Sequence, residues 1–160
     1  MFRDIRSIIY LEHAVQSWSP HLKRDIDVLE RVQRAVTKHI GGMKGLNYEQ
    51  RLEKLGWTTL EARRERGDLI LTYQLLHQNA AVNLSTWHWT QPLSDIAGPA
   101  GSVRANDIRL NPPTRYHCKQ REHFLTSRVA APLRSLPAGI MSAKTVNSFK
   151  NAYDKYTSQQ

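Results

Sequence analysis

The stretch PPTRYHCKQREHF, which begins at Pro112, contains the densest mixture of side chains that could do chemistry. Two imidazoles and a thiol, at His117, Cys118 and His123, are potential metal ligands. Structural zinc sites usually pair such residues with a Cys-x-x-Cys element, and this chain has only one cysteine. We therefore expect no metal here, and nothing else in the sequence indicates a cofactor.

The same stretch alternates basic and aromatic side chains. Basic groups can contact phosphates and aromatic rings can stack on bases, so this mixture suits RNA or DNA. The basic residues are Arg115, Lys119 and Arg121, followed by Arg128, and the aromatic ones are Tyr116, His117, His123 and Phe124. An ordinary basic loop that leads into a helix explains the composition equally well. Trp87 and Trp89 also could stack on bases, but packing in the protein is the favoured interpretation.

A second basic set lies on the helix predicted from Ser19 to Ile40, with Ser19 as N-cap, Pro20 at the first helical position and Gly41-Gly42 as the stop. The apolar positions recur at steps of three and four and predict one buried face. They are Leu22, Ile26, Leu29, Val32, Val36 and Ile40. Successive residues of a helix are rotated by about 100°, which places five basic residues on the opposite side: Lys23, Arg24, Arg31, Arg34 and Lys38.

Two interpretations of this basic side remain open. It contacts a sugar–phosphate backbone, in which case Lys23, Arg31, Arg34 and Lys38 are the expected contacts. Alternatively it is a solvated face, where Asp27 and Glu30 form ion pairs with the arginines four residues later. Runs of charge alone do not separate the two.

Other helices are predicted from periodicity and capping residues. Helices are expected over Ile5–Trp18, Asn47–Leu55, a segment opened by Thr58 and ending near His77, Arg121–Arg134 and Thr145–Tyr156. Asn47 and Gln50 form a capping box and Gly56 a stop, while Thr58 and Glu61 repeat the box. The run LILTYQLL from Leu69 is apolar on nearly every side, which is typical of a buried helix. Gly67 lies inside that helix, where it would allow close packing.

Between Gln78 and Lys119 the periodicity is lost, because prolines and glycines interrupt every run. A short hairpin is expected there from Val103–Arg104 and Ile108–Leu110. The predicted fold is mainly α, a small bundle of five to six helices with a long irregular segment. We expect three parts: a helical region over 1–77, an irregular linker over 78–120 and a helical region over 121–160.

Bulk properties narrow the function. The chain has 160 residues, 23 Lys and Arg against 14 Asp and Glu, a net charge of +9 and a pI near 10.0. Such an excess of basic residues favours a polyanionic partner but indicates little about the fold. A single cysteine fits a reducing compartment, so an intracellular location, nuclear or cytoplasmic, is expected. No apolar run of membrane-spanning length and no catalytic motif are present, so neither a membrane nor a small-molecule substrate is expected.

Three segments in order resemble one known arrangement: LEHAVQSWSPHLKRDIDVLERVQRAVTKHI, GLNYEQRLEKLGWTTLEARRERGDLILTYQLL and FLTSRV…LRSLP…TVNSFKNAYDKY. They are similar to the region C-terminal to the polymerase core in LINE-type, jockey-like non-LTR retrotransposon reverse transcriptases. The resemblance spans about Leu11–Leu76 and Phe124–Tyr156. It departs from the family where Ala131, Pro132 and Leu133 replace an acidic or polar pair and a tryptophan. That proline is expected to kink its helix.

The resemblance implies a parent activity of RNA-directed DNA synthesis. In such enzymes an adjacent aspartate pair in the palm holds the metal ions, and this chain has no such pair. It is therefore expected to be no enzyme on its own, but a fragment or relic that supports the polymerase polypeptide and binds RNA or DNA weakly and non-specifically. The alternatives are a helical protein-interaction module without a nucleic-acid role, and a non-functional translated remnant.

Overall fold

The computed structural model describes residues 11–77, 90–92, 108–110 and 118–159. The chain divides into two compact units, Met1–Asp68 and Leu69–Gln160. As predicted, the fold is mainly helical. Within the described residues no helix is both long and apolar enough to cross a membrane.

The first unit is built from helices α1 (Val15–Trp18), α2 (Lys23–His39), α3 (Tyr48–Leu55) and the start of α4 (Leu60–His77). Part of the helix predicted from Ile5 lies outside the described residues. In the described part, residues 11–14 form turns and only the last turn of the predicted helix is helical.

The start of α2 differs from the prediction. Leu22 is its N-cap, with extended backbone and no side-chain cap. Ser19 is not the cap, because α2 begins only at Lys23; the Ser19 backbone N–H donates to the carbonyl of Val15 at 2.8 Å and closes α1. Pro20 therefore lies in the connection between the two helices. At the other end the chain becomes extended at Ile40, and Gly42 adopts the expected positive φ of 79°.

The caps of α3 are those predicted. The Gln50 N–H donates to Asn47 Oδ1 at 2.8 Å, and the Asn47 N–H donates to Gln50 Oε1 at 3.0 Å. Gly56 ends the helix with φ 63°. The cap of α4 lies one residue later than predicted, because Thr59 Oγ1, rather than Thr58, accepts from the N–H of Ala62 at 3.2 Å.

The apolar core of the first unit is small. Val36 and Leu60 are buried together, and four partly buried side chains pack on them: Leu11, Leu29, Val32 and Trp57. The buried face of α2 also includes Glu30, Gln33 and Thr37. Glu30 and Thr37 lie on the flank of the predicted apolar face that leads toward the basic side. The buried face is therefore broader on that flank than the hydrophobic pattern predicts.

The second unit holds the end of α4, strands β1 (Thr90–Pro92) and β2 (Ile108–Leu110), and five helices. These helices are α5 (Lys119–Glu122), α6 (Leu125–Arg128), α7 (Ala130–Ser135), α8 (Ala138–Met141) and α9 (Val146–Thr157). The strands pair antiparallel, with Thr90 opposite Leu110. The predicted strand Ile108–Leu110 is thus present with Thr90–Pro92 as its partner, while Val103–Arg104 lies outside the described residues.

One predicted helix of the second unit is wrong. Arg121–Arg134 is not continuous, because the chain breaks at His123–Phe124 and again at Val129. Pro132 is the third residue of α7, where a backbone N–H has no partner within the helix, so proline is tolerated. Phe124, one of the aromatic residues of the basic stretch, is 58% exposed. These two breaks, together with α8, which was not predicted, raise the number of helical segments in the described residues to nine, against the five to six predicted.

Aromatic rings dominate the core of the second unit. Tyr73 stacks on Phe149 with ring centroids 4.4 Å apart, and Phe149 lies 6.4 Å from Tyr153. The predicted helix over Thr145–Tyr156 is confirmed as α9, with Thr145 accepting from the Ser148 N–H at 3.1 Å. The remaining buried side chains are Leu69, Leu125, Val129, Ala130, Leu133, Leu136, Ile140 and Met141.

Candidate nucleic-acid interface

The basic side of α2 is exposed to solvent along its length. All five predicted side chains lie there: Lys23, Arg24, Arg31, Arg34 and Lys38. Two of them form ion pairs with neighbouring carboxylates, Lys23 with Asp27 at 3.7 Å and Arg24 with Asp25 at 3.2 Å. Exposed pairs of this kind are weak and exchange readily with other anions. Arg31 and Lys38 pair with no carboxylate among the residues that the structure describes.

The predicted pairing of Glu30 with Arg34 is wrong. Glu30 is buried, with 9% of its surface exposed, and its carboxylate points into the unit. One oxygen accepts a short hydrogen bond from the Tyr48 hydroxyl, and the other accepts from the Leu60 N–H at 3.1 Å. The guanidinium of Arg34 instead lies 4.8 Å from the centre of the Tyr48 ring, a cation–π contact. Arg34 thus remains at the surface.

Gln33 completes a polar junction between three helices. Its side-chain amide donates to the Tyr48 hydroxyl at 3.0 Å and to the carbonyl of Thr58 at 2.9 Å, and it is fully buried. We call Glu30, Gln33 and Tyr48 the polar junction. Because it joins α2 to α3 and to the start of α4, it sets the rotation of α2 and therefore the direction of its basic side.

The environment of Tyr48 fixes its protonation. Burial, the hydrogen bond to Glu30 and the charge of Glu30 together raise the pKa of Tyr48 well above its ordinary value, with burial the largest cause. Two effects oppose this rise, the hydrogen bond from Gln33 and the charge of Arg34. The phenol therefore stays protonated, and it can donate to Glu30, throughout the neutral range.

A second set of buried charges lies on α4. Arg63 pairs with Glu12 at 2.6 Å, and its guanidinium also reaches the side-chain oxygen of Gln33 at 3.4 Å. Arg64 is 4% exposed; burial lowers its pKa, while nearby carboxylates, Glu30 foremost, act in the opposite direction. Leu60, Arg64 and Asp68 follow one another at steps of four and are all buried, which shows which face of α4 is turned inward.

Two lysines that the sequence reasoning missed lie after α2. Lys44 is exposed in the turn that follows the helix. Lys54, on α3, donates from Nζ to the carbonyl of Gly42 at 3.1 Å, which places its charge beside the same turn. The position of Lys54 could not be predicted from the sequence, because only the fold brings α3 back to the end of α2.

The C-terminal candidates belong to the second unit. Lys119 and Arg121 are exposed on α5, whereas Arg128 is partly buried and donates to the carbonyl of His123 at 3.1 Å. Arg115 lies outside the described residues, as do Tyr116, His117, Trp87 and Trp89. Cys118 is exposed. Among the described residues no three His, Cys, Asp or Glu side chains cluster closely enough to hold a metal ion.

Comparison with known proteins assigns no family to this chain, since no family, no characterised protein and no solved structure matches it.

Proposed function

We propose that this chain binds the backbone of RNA or DNA, weakly and with little sequence preference, through the basic side of α2. The observation that carries the proposal is that Lys23, Arg31, Arg34 and Lys38 are all exposed on one helix. From Lys23 to Lys38 that helix rises about 22 Å, the length of several successive phosphates. Lys119, Arg121 and Arg128 are additional candidate contacts in the second unit, and Arg115 is one by sequence.

The rigidity of α2 supports this role. A charged surface binds a polyanion best when its side chains need little reordering. The polar junction fixes the rotation of the helix, and the ring of Tyr48 holds the guanidinium of Arg34 in place.

The origin that we propose is a LINE-type reverse transcriptase. On this proposal the chain is a fragment or relic of the region after the polymerase core, is not an enzyme by itself, and supports the rest of that polypeptide in the nucleus or cytoplasm. The support is the sequence resemblance described above, together with a net charge of +9.

One observation favours a second function, docking on a protein partner. Three large apolar side chains of the first unit are exposed: Trp18 at 41%, Leu22 at 44% and Val28 at 50%. Exposed apolar surface marks interaction sites when it is contiguous. In that case the basic residues would serve solubility alone.

A mobility-shift titration separates the two functions. Single-stranded RNA is titrated at two salt concentrations against the wild-type chain and against a variant in which Arg31, Arg34 and Lys38 are replaced by glutamine. Binding that weakens steeply with salt and that the variant loses supports the nucleic-acid role. RNA binding that neither salt nor the variant affects contradicts it.

A further inference from the structure

The ring of Trp18 is exposed although its polar group is satisfied. Trp18 is the last residue of α1, and 41% of it remains accessible. Its indole N–H donates to the backbone carbonyl of His13 at 2.7 Å. This bond occupies the edge of the indole ring that carries the nitrogen. The surface that remains accessible to solvent therefore consists mainly of ring carbon atoms and the face of the π system.

The first charged residues after Trp18 in the chain are basic. No acidic residue lies between His13 and Arg24, and Lys23 and Arg24 are both exposed, paired with Asp27 and Asp25 respectively. Lys23 is five positions after Trp18, so their Cα atoms are at most about 18 Å apart. The aromatic ring thus belongs to the segment that leads into the end of α2 at which the basic side begins.

We propose that Trp18 is a stacking platform for an unpaired base, so that the preferred ligand of the first unit is single-stranded rather than duplex nucleic acid. This inference rests on the proposed function, in which the basic side of α2 follows the phosphates. A single strand of nucleic acid complements both features, because its phosphates can contact the cations of α2 and one of its bases can stack on the ring of Trp18. In a duplex the base faces are covered by their neighbours, and only base edges and phosphates remain accessible.

The test compares strands with and without bases. Fluorescence anisotropy gives the Kd of labelled oligouridylate, of a strand with the same number of phosphates but no bases, and of duplex RNA, all at one low salt concentration. The variants are Trp18→Ala, Trp18→Phe and, as a matched apolar control, Leu22→Ala, which removes another exposed side chain that has no aromatic ring. Circular dichroism verifies that each variant keeps its helices.

Trp18→Ala is expected to weaken oligouridylate binding about 5- to 150-fold, the range found for the loss of one stacked base. Trp18→Phe recovers part of that loss, since it keeps a ring but lacks the bond to His13. Leu22→Ala leaves the Kd nearly unchanged, and no variant alters binding to the base-free strand or the duplex.

Several outcomes overturn the inference. If Trp18→Ala binds oligouridylate as the wild type does, while that binding still falls with salt, stacking is wrong and the proposed function stands. An equal loss in Leu22→Ala shows a general apolar contact instead of stacking. Trp18-dependent binding to vesicles of anionic phospholipid, with none to oligouridylate, assigns the ring to a membrane surface. Absence of any RNA binding by the wild type removes the proposed function as well.

Discussion

The hydroxyl of Tyr48, on α3, donates a hydrogen bond to the buried carboxylate of Glu30, on α2. The same carboxylate accepts from the backbone N–H of Leu60, the first residue of α4. A negative charge at the start of a helix is favourable, because unpaired N–H groups and the helix dipole both attract it. The Glu30 side chain thus connects three helices, and the guanidinium of Arg34 lies over the ring of Tyr48.

Removing the Tyr48 hydroxyl should destabilise the first unit. Tyr48→Phe leaves the buried Glu30 carboxylate and the Gln33 amide each without one partner, at a cost of about 1–3 kcal/mol in the free energy of unfolding. Urea unfolding followed by circular dichroism measures the loss. Tyr156→Phe, at a half-buried tyrosine whose hydroxyl bonds to no described residue, is the control and should change stability by less than the Tyr48 variant. Equal effects of the two substitutions would show that the junction contributes no specific stability.

The raised pKa of Tyr48 also predicts how stability depends on alkaline pH. The folded state holds the Tyr48 proton more tightly than the unfolded state does. The stabilisation that this proton contributes is therefore fully present below the ordinary pKa of 10.0. It is lost as the pH rises above that value, since the unfolded chain then gains from ionisation and the folded chain does not. The wild type should therefore lose more stability than Tyr48→Phe when the pH is raised past 10. Parallel curves for the two proteins would contradict this assignment.

Gly67→Ala is expected to stabilise the chain. A Cβ at this position would meet only Gln16 Nε2, at 3.5 Å, which is an ordinary contact, and the backbone there is helical. The gain is about 1 kcal/mol, the difference in helix propensity between the two residues. Gly56→Ala is the opposite case, because φ is 63° there and an L side chain is strained by about 1–2 kcal/mol. Thermal unfolding should show a higher Tm for the first and a lower Tm for the second. A lower Tm for Gly67→Ala would mean that the glycine serves close packing, as the sequence suggested.

Local signals in the sequence predicted some helix ends and missed others. The cap at Asn47 and the stop at Gly56 depend on neighbours three or four residues away, so capping rules predict them, whereas the cap predicted at Ser19 was wrong. The burial of Glu30 depends on Tyr48 and Leu60, which are 18 and 30 residues distant. No local pattern distinguishes such a carboxylate from a surface one. The sequence therefore predicted the exposed basic residues of α2, but it did not predict the buried residues beneath them.

Glu65 predicts a pH effect of its own. Although the residue as a whole is exposed, desolvation of its carboxyl raises the pKa of Glu65 above the ordinary value of 4.5, and the charges of Glu61 and Asp68 raise it further. In the folded chain the ionised form is thus disfavoured, so stability falls as the pH rises through and beyond 4.5. Glu65→Gln should raise the Tm at about pH 7 and change it little at about pH 4, where the wild-type group is largely protonated in both states. Glu49→Gln, which removes the same charge from another exposed position, is the control. If the Tm of Glu65→Gln rises as much at the lower pH as at the higher one, the stabilisation has a cause other than the charge of Glu65.

The two cations of α2 without a described carboxylate partner, Arg31 and Lys38, should contribute most directly to the salt dependence of RNA binding. Each phosphate contact adds about 0.7 to the slope of log K against log salt for a single strand. Replacing both by glutamine should therefore reduce the slope by about 1.4, and it should leave the Tm nearly unchanged because both side chains are exposed. The matched variant Lys144→Gln/Lys155→Gln removes the same charge from exposed positions of the second unit. It lowers long-range attraction equally but removes no proposed contact, so its slope should stay near that of the wild type. If the two double variants lose the same slope, the chain attracts RNA by net charge alone and α2 is not its binding surface.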